Sequence, residues 1–244
     1  MIKRTILAAA AAATMAAPTS AAIFDYGDFM GDTVMFLDTF EDTGPTSFPL
    51  FGAPDVFGDS LDFDPVNFDV SSSGPDSSIL SSTAGTTIMA LGGQVIDIIE
   101  LDETGSYTLA GLAGNATAEV SAVAVIDVIE IDGVAATGDF SFQQVFTFNP
   151  SGGTFSIADD GTGSATFSGG TTFDVDALLA SEGIFGSATK VELLVTNTLA
   201  VASVTGTSAQ IEKDDIGGLV VTVPEPTTLS LLAFAGAGLL RRRR

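Results

Sequence analysis

The chain has 244 residues, of which 31 are acidic and 8 are basic, and its formal net charge is −23 at pH 7. Six basic residues lie at the two ends, so residues 23–223 hold 30 acids against Lys190 and Lys213, a charge of −28 that repels nucleic acid and anionic lipid. Cysteine and histidine are absent, which excludes disulfides, thiol nucleophiles, imidazole bases and metal sites built from those side chains.

The first 22 residues have the three-part plan of a secretory signal peptide. Two basic residues open the segment, an apolar run follows over residues 5–17, and small residues end at Ala22. The run is too short for a membrane anchor and is followed by Pro18. We therefore predict export, with signal peptidase cutting after Ala22.

Residues 23–223 show no linker and no break in composition, which predicts one domain. Glycine turns separate runs of Val, Ile, Thr and Phe that alternate with polar residues, the period of a half-buried strand. Many short strands of this kind predict an all-β fold, either an antiparallel β-sandwich or a jelly roll. The physical reason is that two half-apolar sheets must cover each other.

An acid-rich stretch near the start of this domain contains the four aspartates Asp59, Asp62, Asp64 and Asp69. Alternation places Leu61 and Phe63 opposite Asp62 and Asp64, which is the pattern of a solvated strand. A glycosidase would need two carboxyls held at a fixed separation, and a sequence contains no such distance. The serine-rich segment that follows, residues 71–87, is predicted to form surface loops or edge strands.

One short motif occurs twice: VIDIIELD at residues 95–102 returns as VIDVIEID at residues 125–132. On neighbouring strands, Asp97 and Asp127 would offer two carboxylates to a hard cation such as calcium. Neither copy has a complete calcium-loop spacing, so the pattern favours two β-branched strands without a metal. In the second copy alternation turns Asp127 outward, and Ile129 then requires either a bulge or a second covered face.

Two later stretches have strong strand periodicity, and one looks helical. DFSFQQVFTF, at residues 139–148, places four phenylalanines on one face, and KVELLVTNTLAVASVT, at residues 190–205, has a five-residue apolar face. FDVDALLASEGI, at residues 173–184, predicts a short helix capped by Asp174 or Asp176. The apolar positions of the two strands are Phe140, Phe142, Phe146 and Phe148, and Val191, Leu193, Val195, Leu199 and Val201.

The chain ends with a Pro-Glu-Pro motif, then 14 uncharged residues, and then four arginines. As a helix the uncharged segment is about 21 Å long, against a hydrocarbon layer of about 30 Å. The arginines lengthen its reach because they snorkel to the headgroups, and a basic cluster stays on the cytoplasmic side. We predict a short transmembrane helix on which the arginines act as a membrane stop. The motif consists of Pro224, Glu225 and Pro226, and the membrane stop consists of Arg241, Arg242, Arg243 and Arg244.

This order of elements resembles the PEP-CTERM sorting signal of exported bacterial proteins. The resemblance implies recognition of Pro224, Glu225 and Pro226 by an exosortase, a transpeptidase-like membrane enzyme, and removal of the membrane segment. It also implies a producer that makes exopolysaccharide. The chemistry of proline agrees with this implication, because prolines lack a backbone N–H and keep the stretch extended for a protease.

The sequence thus divides into a signal peptide (1–22), a β-sandwich domain (23–223) and a sorting signal (224–244). We expect an exported, non-enzymatic protein of the envelope or extracellular matrix, with a structural or exopolysaccharide-associated role and transient inner-membrane association. No cofactor is expected, calcium being the one ion considered. The alternative is a secreted carbohydrate-active enzyme with a carboxylate pair on a jelly roll, which the absence of Trp and the presence of only Tyr26 and Tyr107 disfavour.

Overall fold

The computed structural model describes residues 22–112, 114–214 and 217–224. Within them the chain forms two large antiparallel sheets that enclose one hydrophobic core. The predicted all-β sandwich is therefore confirmed. The predicted signal peptide, apart from Ala22, and the predicted membrane segment lie outside the described residues.

Sixteen strands occur in the described residues. They are β1 (Ile23–Met30), β2 (Val34–Asp42), β3 (Asp55–Phe57), β4 (Ser60–Phe63), β5 (Asp69–Ser73), β6 (Asp76–Ala90), β7 (Ile98–Gly111), β8 (Ala116–Ile131), β9 (Val134–Ala135), β10 (Ser141–Val145), β11 (Thr147–Asn149), β12 (Thr154–Ser156), β13 (Gly163–Asp174), β14 (Ala188–Ser203), β15 (Thr207–Lys213) and β16 (Leu219–Thr222).

The first sheet, called sheet A, has the order β1-β2-β6-β14-β8-β10, and the short strands β9 and β12 also pair with β8. The second, sheet B, has the order β11-β13-β7-β16-β4-β3. In sheet B, β15 pairs with β7 beyond the end of β16, and β5 pairs with the other edge of β15. The long strands β14 and β7 therefore lie in the interior of the two sheets.

The core follows from strict alternation on the longest strands. On β8 the even-numbered positions from Ala116 to Val128 are buried, and on β14 all five predicted apolar positions are buried. Fully burying one large apolar side chain contributes about 1.5–3 kcal/mol. Since β8 offers mainly small side chains, the core between the sheets also contains buried phenylalanines of β12 and of β13 in sheet B, which are Phe155, Phe167 and Phe173.

The prediction for residues 71–87 is wrong for most of that segment. β5 is an edge strand as predicted, but β6 lies in the interior of sheet A between β2 and β14. The hydroxyls on its outer face pair across the strands: Ser81 lies 3.1 Å from Thr198, and Thr83 lies 2.9 Å from Thr196. Such pairs stabilise a solvated face, so a serine-rich strand is compatible with a central position.

The four-phenylalanine stretch forms two strands in different sheets and not one. β10 pairs with β8 in sheet A, whereas β11 pairs with β13 in sheet B. The chain crosses at Phe146, whose N–H donates to the carbonyl of Ala122 at 3.0 Å. Period two persists through the crossing, so Phe146 and Phe148 are buried while Phe140 and Phe142 pack at the margin of the core.

The predicted helix is confirmed as α2 (Val175–Ser181), after a four-residue helix α1 (Ile157–Asp160). Asp174 is its N-cap, and the Asp174 carboxylate accepts a hydrogen bond from the N–H of Ala177 at 2.9 Å. Neither helix, nor any other helix of the described part of the chain, is long and apolar enough to cross a bilayer.

Candidate functional site

Two of the predicted processing positions lie within the described residues. Ala22 is hydrogen-bonded to the folded domain. Its N–H donates to the carbonyl of Gly44 at 3.0 Å, and its own carbonyl accepts from the N–H of Thr43 at 3.1 Å. Pro224 is half-buried directly after β16. The remaining predicted sorting residues lie outside the described residues, so their recognition and membrane-stop roles stay predictions. They are Glu225, Pro226, Arg241, Arg242, Arg243 and Arg244.

The aspartates of the acid-rich stretch lie in different environments. Asp59 anchors a turn, because its carboxylate accepts from the N–H of Thr33 at 2.7 Å and of Val34 at 3.3 Å. Burial raises the pKa of Asp62, and the neighbouring carboxylates of Asp64 and Asp55 raise it further. Leu61 and Phe63 are buried on the opposite face, as predicted, and Asp69 is exposed on β5.

The two weak candidate calcium ligands do not lie on neighbouring strands, which is the arrangement that a shared calcium ion would have required. Asp127 is on β8 in sheet A, where it is opposite Ser141 and Glu192. Asp97 precedes β7 of sheet B and lies beside Asp176, whose pKa is raised by burial and then by the Asp97 carboxylate. Across the described ranges, no group of three or more acidic side chains is arranged to hold a metal ion.

The predicted irregularity near Ile129 is a bulge. β8 and β14 align Val128 with Val191 and Glu130 with Lys190, so Ile129 has no partner in that ladder. The extra residue leaves the Ile129 side chain exposed.

Glu41 occupies a closed cradle at the inner face of sheet A, where its side chain is fully buried. The carboxylate accepts from three backbone N–H groups, those of Leu50, Phe51 and Gly52, at 2.9, 3.0 and 3.3 Å. It also accepts from two hydroxyls, that of Ser82 at 2.7 Å and that of Tyr26 at 2.9 Å. Five donors satisfy both oxygens, so Glu41 fastens the 50–52 loop to the sheet.

The surroundings of Tyr26, including Glu41, change the pKa of its hydroxyl. Burial raises the pKa of its hydroxyl, and the Glu41 carboxylate raises it further, because a phenolate beside a carboxylate would place two negative charges together. Tyr26 therefore stays protonated and acts as a hydrogen-bond donor.

A second buried carboxylate, Glu103, lies on the inner face of sheet B. Its Oε2 is 2.6 Å from Nζ of Lys213, and both side chains have no solvent exposure. Lys213 Nζ also lies 5.8 Å from the Phe51 ring centre and 5.7 Å from that of Phe68. Burial raises the pKa of Glu103 and lowers the pKa of Lys213, since each charged form loses its hydration.

Asn197 approaches this ion pair from the opposite sheet. It lies on β14 between the buried residues Val195 and Leu199 and is itself fully buried. Its amide is close enough to Glu103 to lower the pKa of that carboxyl. In the part of the chain that the structure describes, neither amide atom of Asn197 has a partner with hydrogen-bond geometry, and Oε1 of Glu103 also lacks one. The contact is therefore close but not aligned as a hydrogen bond.

Glu41, Glu103, Lys213 and Asn197 were not predicted from the sequence as site residues. A signal for two of them was present. Asn197 interrupts the apolar face of its strand at an inward position, and Lys213 is one of only two lysines between the chain ends.

The surface of the sandwich carries shallow grooves. One of about 650 Å³ lies beside Asn149, Thr166 and Asp214. Another, of about 440 Å³, follows β5 and β15, and serines make up half of its lining residues, including Ser71 and Ser73. These grooves offer hydroxyls, amides and single carboxylates to solvent.

Fold and tail together define the class of protein: an acidic antiparallel β-sandwich with a C-terminal sorting signal. Residues 222–244 match the PEP-CTERM protein-sorting motif. The chain thus carries the sorting motif that marks exosortase substrates, which confirms the resemblance drawn from its last residues. The motif indicates an exported protein of the cell envelope or extracellular space.

No curated protein sequence matches the chain. Among solved structures, it is similar to the enzymatically active domain of bacteriophage CBA120 tailspike protein 4, with 11% identity over 84% of this chain and 19% of that chain, and a TM-score of 0.21. It is also similar to the carbohydrate-binding module TmCBM61 in complex with β-1,4-galactotriose, with 9% identity, 71% and 90% coverage and a TM-score of 0.22. Endoglucanase 3 of Trichoderma harzianum, from family GH12, has 8% identity, 86% and 100% coverage and a TM-score of 0.26. These similarities are too weak to indicate function.

Proposed function

We propose that the mature protein is a non-enzymatic structural component of the envelope or extracellular matrix, held among anionic exopolysaccharide chains through divalent cations. The observation that carries this proposal is the charge of the exported body. Lys213 is buried against Glu103, so Lys190 is the one lysine that reaches the surface in the described ranges. The solvated surface is therefore almost purely anionic.

The outer face of sheet A illustrates how such a surface would bind cations. Glu192 on β14 lies directly opposite Asp127 on β8, and neither residue is buried. Like charges in facing positions repel each other. A divalent cation that is shared with a polysaccharide carboxylate would relieve this repulsion without a dedicated protein cage.

The environment of the two buried glutamates supports a structural role over a hydrolytic one. Glu41 is saturated by protein donors, and Glu103 is enclosed with Lys213 between the sheets. A glycosidase acid and its partner must reach a glycosidic bond from both sides. Neither of these carboxylates is open to a glycan.

The test is retention of the purified exported protein on exopolysaccharide from its producing cells. We expect co-sedimentation with calcium present, and release by a chelator or by high salt, which screens exposed charges. The double variant Asp127→Asn with Glu192→Gln should be retained less than Thr196→Ser, a matched change on the same face. Absence of retention with calcium would overturn the matrix role, and release of sugar fragments would show an enzyme instead.

A further inference from the structure

We propose that Lys213 and Asn197 join through an intramolecular amide bond between their side chains, with Glu103 as the catalytic acid and base. This bond would link sheet B to sheet A through the middle of the core. The proposal is independent of the exopolysaccharide role, because it concerns a modification of the protein by its own residues.

The topology brings the three groups together from three strands. Lys213 is on β15 and Glu103 is on β7, two neighbouring strands of sheet B. Asn197 is on β14 of sheet A, and its side chain enters the core from the opposite side. The Lys213 amine and the Asn197 amide thus both approach the Glu103 carboxyl, where the sheets face each other.

The surroundings favour an amine that reacts. Lys213 Nζ lies between the rings of Phe51 and Phe68, at 5.8 and 5.7 Å from their centres, and contacts Glu103 at 2.6 Å. In this apolar site a proton moves readily from the ammonium to the carboxylate, because both charged forms are poorly solvated. The lowered pKa of Lys213 and the raised pKa of Glu103 have this same cause. A neutral lysine amine is a nucleophile, whereas an ammonium is not.

The reaction balances without any further reactant. Lys213 gives a proton to Glu103, and its Nζ attacks Cγ of Asn197 to form a tetrahedral centre, while the Glu103 acid donates to Oδ1. Glu103 then carries a proton from Nζ to Nδ2, the Cγ–Nδ2 bond breaks, ammonia leaves, and the proton on Oδ1 returns to Glu103 as the carbonyl re-forms. One carbon–nitrogen bond forms and one breaks, no electrons are transferred, and Glu103 ends as a neutral acid.

The amide of Asn197 gives the independent reason to expect chemistry here. Buried polar side chains are nearly always hydrogen-bonded, and an unpaired one destabilises the fold. Both polar atoms of Asn197 lack a partner among the described residues, although the side chain is fully buried. Bond formation would release Nδ2 as ammonia and leave Oδ1 as an acceptor for the Glu103 acid.

The amide bond would provide a covalent cross-link between the two sheets. The chain has no cysteine, so it has no disulfide to hold an exported fold together outside the cell. A link from residue 197 to residue 213 would tie the last long strand of sheet A to sheet B covalently. An amide is also insensitive to reducing agents.

The lysine positions make the test direct. Lys190 and Lys213 are the only basic residues between the chain ends, so trypsin acting on the unlinked, denatured chain releases the peptide Val191–Lys213, which contains Asn197. In the linked chain the Lys213 side chain is an amide and trypsin does not cut after it. We expect the natively purified full chain to give no free Val191–Lys213 peptide. It should give a longer peptide that begins at Val191 and is lighter by one ammonia.

Variants assign the roles of the three residues. Asn197→Ala, Glu103→Gln and Lys213→Arg should each restore cleavage after residue 213, and Lys213→Arg also keeps the positive charge beside Glu103. Glu100→Gln, an exposed change on the same strand as Glu103, should leave the link intact, and cleavage after Lys190 serves as the digestion control. A free Val191–Lys213 peptide of full mass from the folded wild-type chain would overturn the proposal, and so would conversion of Asn197 to aspartate. The digest of the wild-type chain tests the link by itself, even if a variant fails to fold.

Discussion

The two sheets each bury one glutamate, and the two sites differ in how completely their hydrogen bonds are met. Glu41 of sheet A accepts from three backbone N–H groups and two hydroxyls. Glu103 of sheet B has the Lys213 ammonium on one oxygen and no hydrogen-bond partner on the other within the described residues. The first carboxylate is enclosed by donors on both oxygens, whereas the second is paired on one oxygen only.

This difference in hydrogen bonding fits a structural role for Glu41 and the proposed reactive role for Glu103. Donors that converge on an acid stabilise its charged form and restrict its movement. A carboxyl that shares one proton with a buried amine is held near neutrality and can transfer that proton. Both sites meet at the loop of residues 50–52, because Phe51 donates its N–H to Glu41 and presents its ring to Lys213.

Removal of the structural carboxylate should have the largest effect. Glu41→Ala leaves the N–H groups of the 50–52 loop buried without their acceptor, and each such group costs about 1–3 kcal/mol. We expect the free energy of unfolding to fall by roughly 3–5 kcal/mol in a denaturant titration. Glu192→Ala, an exposed acid on β14, should change it by less than about 0.5 kcal/mol. Equal effects of the two changes would show that the cradle does not hold the loop.

Asn197→Leu gives opposite results for a linked and an unlinked core. If the amide is only an unsatisfied buried group, leucine removes that penalty and the protein becomes more stable. If Asn197 is joined to Lys213, the change removes a covalent loop, and loops of about 15 residues contribute about 3 kcal/mol in the disulfide model. We expect the free energy of unfolding to fall by about 2–3 kcal/mol, and a rise would contradict the link.

The helix α2 offers a smaller contrast between two neighbouring aspartates. Asp174→Ala removes the N-cap acceptor of Ala177 and should lower the free energy of unfolding by about 1 kcal/mol. Asp176→Asn removes a carboxylate that is repelled by Asp97, so it should leave stability unchanged or slightly higher at neutral pH. Thermal unfolding of both variants checks the difference, and a larger loss for Asp176→Asn would contradict the assignment of the cap.

The smallest expected effect is the response of the tyrosines to alkali. The pKa of Tyr26 lies above its ordinary value of 10.0 because of burial and Glu41. A raised pKa in the folded state means that stability present below about pH 10 is lost as the pH rises, since the unfolded tyrosine releases its proton first. With two tyrosines and no tryptophan, phenolate absorbance can be followed cleanly.

We expect the folded protein to titrate at higher pH than the denatured chain. Tyr26→Phe should flatten the alkaline loss of stability in part, because burial also raises the pKa of the remaining Tyr107. Coincident titration curves for the folded and denatured protein would contradict the role of Glu41 as a neighbour of Tyr26.

The sequence predicted where strands lie along the chain better than it predicted which strands pair with each other. Period two identified the inward face of β14 and turned Asp127 of β8 outward, and Asp174 was one of the two residues proposed as the helix cap. Alternation depends only on local pleating, so it survives where the chain changes sheet, as at Phe146. Which sheet a strand joins depends on contacts that are distant in sequence. For that reason the central place of β6 and the separation of Asp97 from Asp127 were not predictable.

The candidate reactive site shows the same limit. Asn197 was visible as a polar interruption of an apolar face, and Lys213 as a rare lysine. Their meeting with Glu103 requires two sheets to close over each other, and residue spacing contains no such information. The sorting signal was predictable because its elements are contiguous and are recognised as a linear segment.

Export and sorting are tested best by the fate of both chain ends in the producing cell. Peptide mapping of protein recovered from outside the cells should find a new N-terminus at Ile23 and no peptide that contains Arg241, Arg242, Arg243 or Arg244. Signal-peptide cleavage after Ala22 and exosortase removal of the tail beyond Pro224 together predict this result. Recovery of the chain from the cytosol with both ends intact would contradict it.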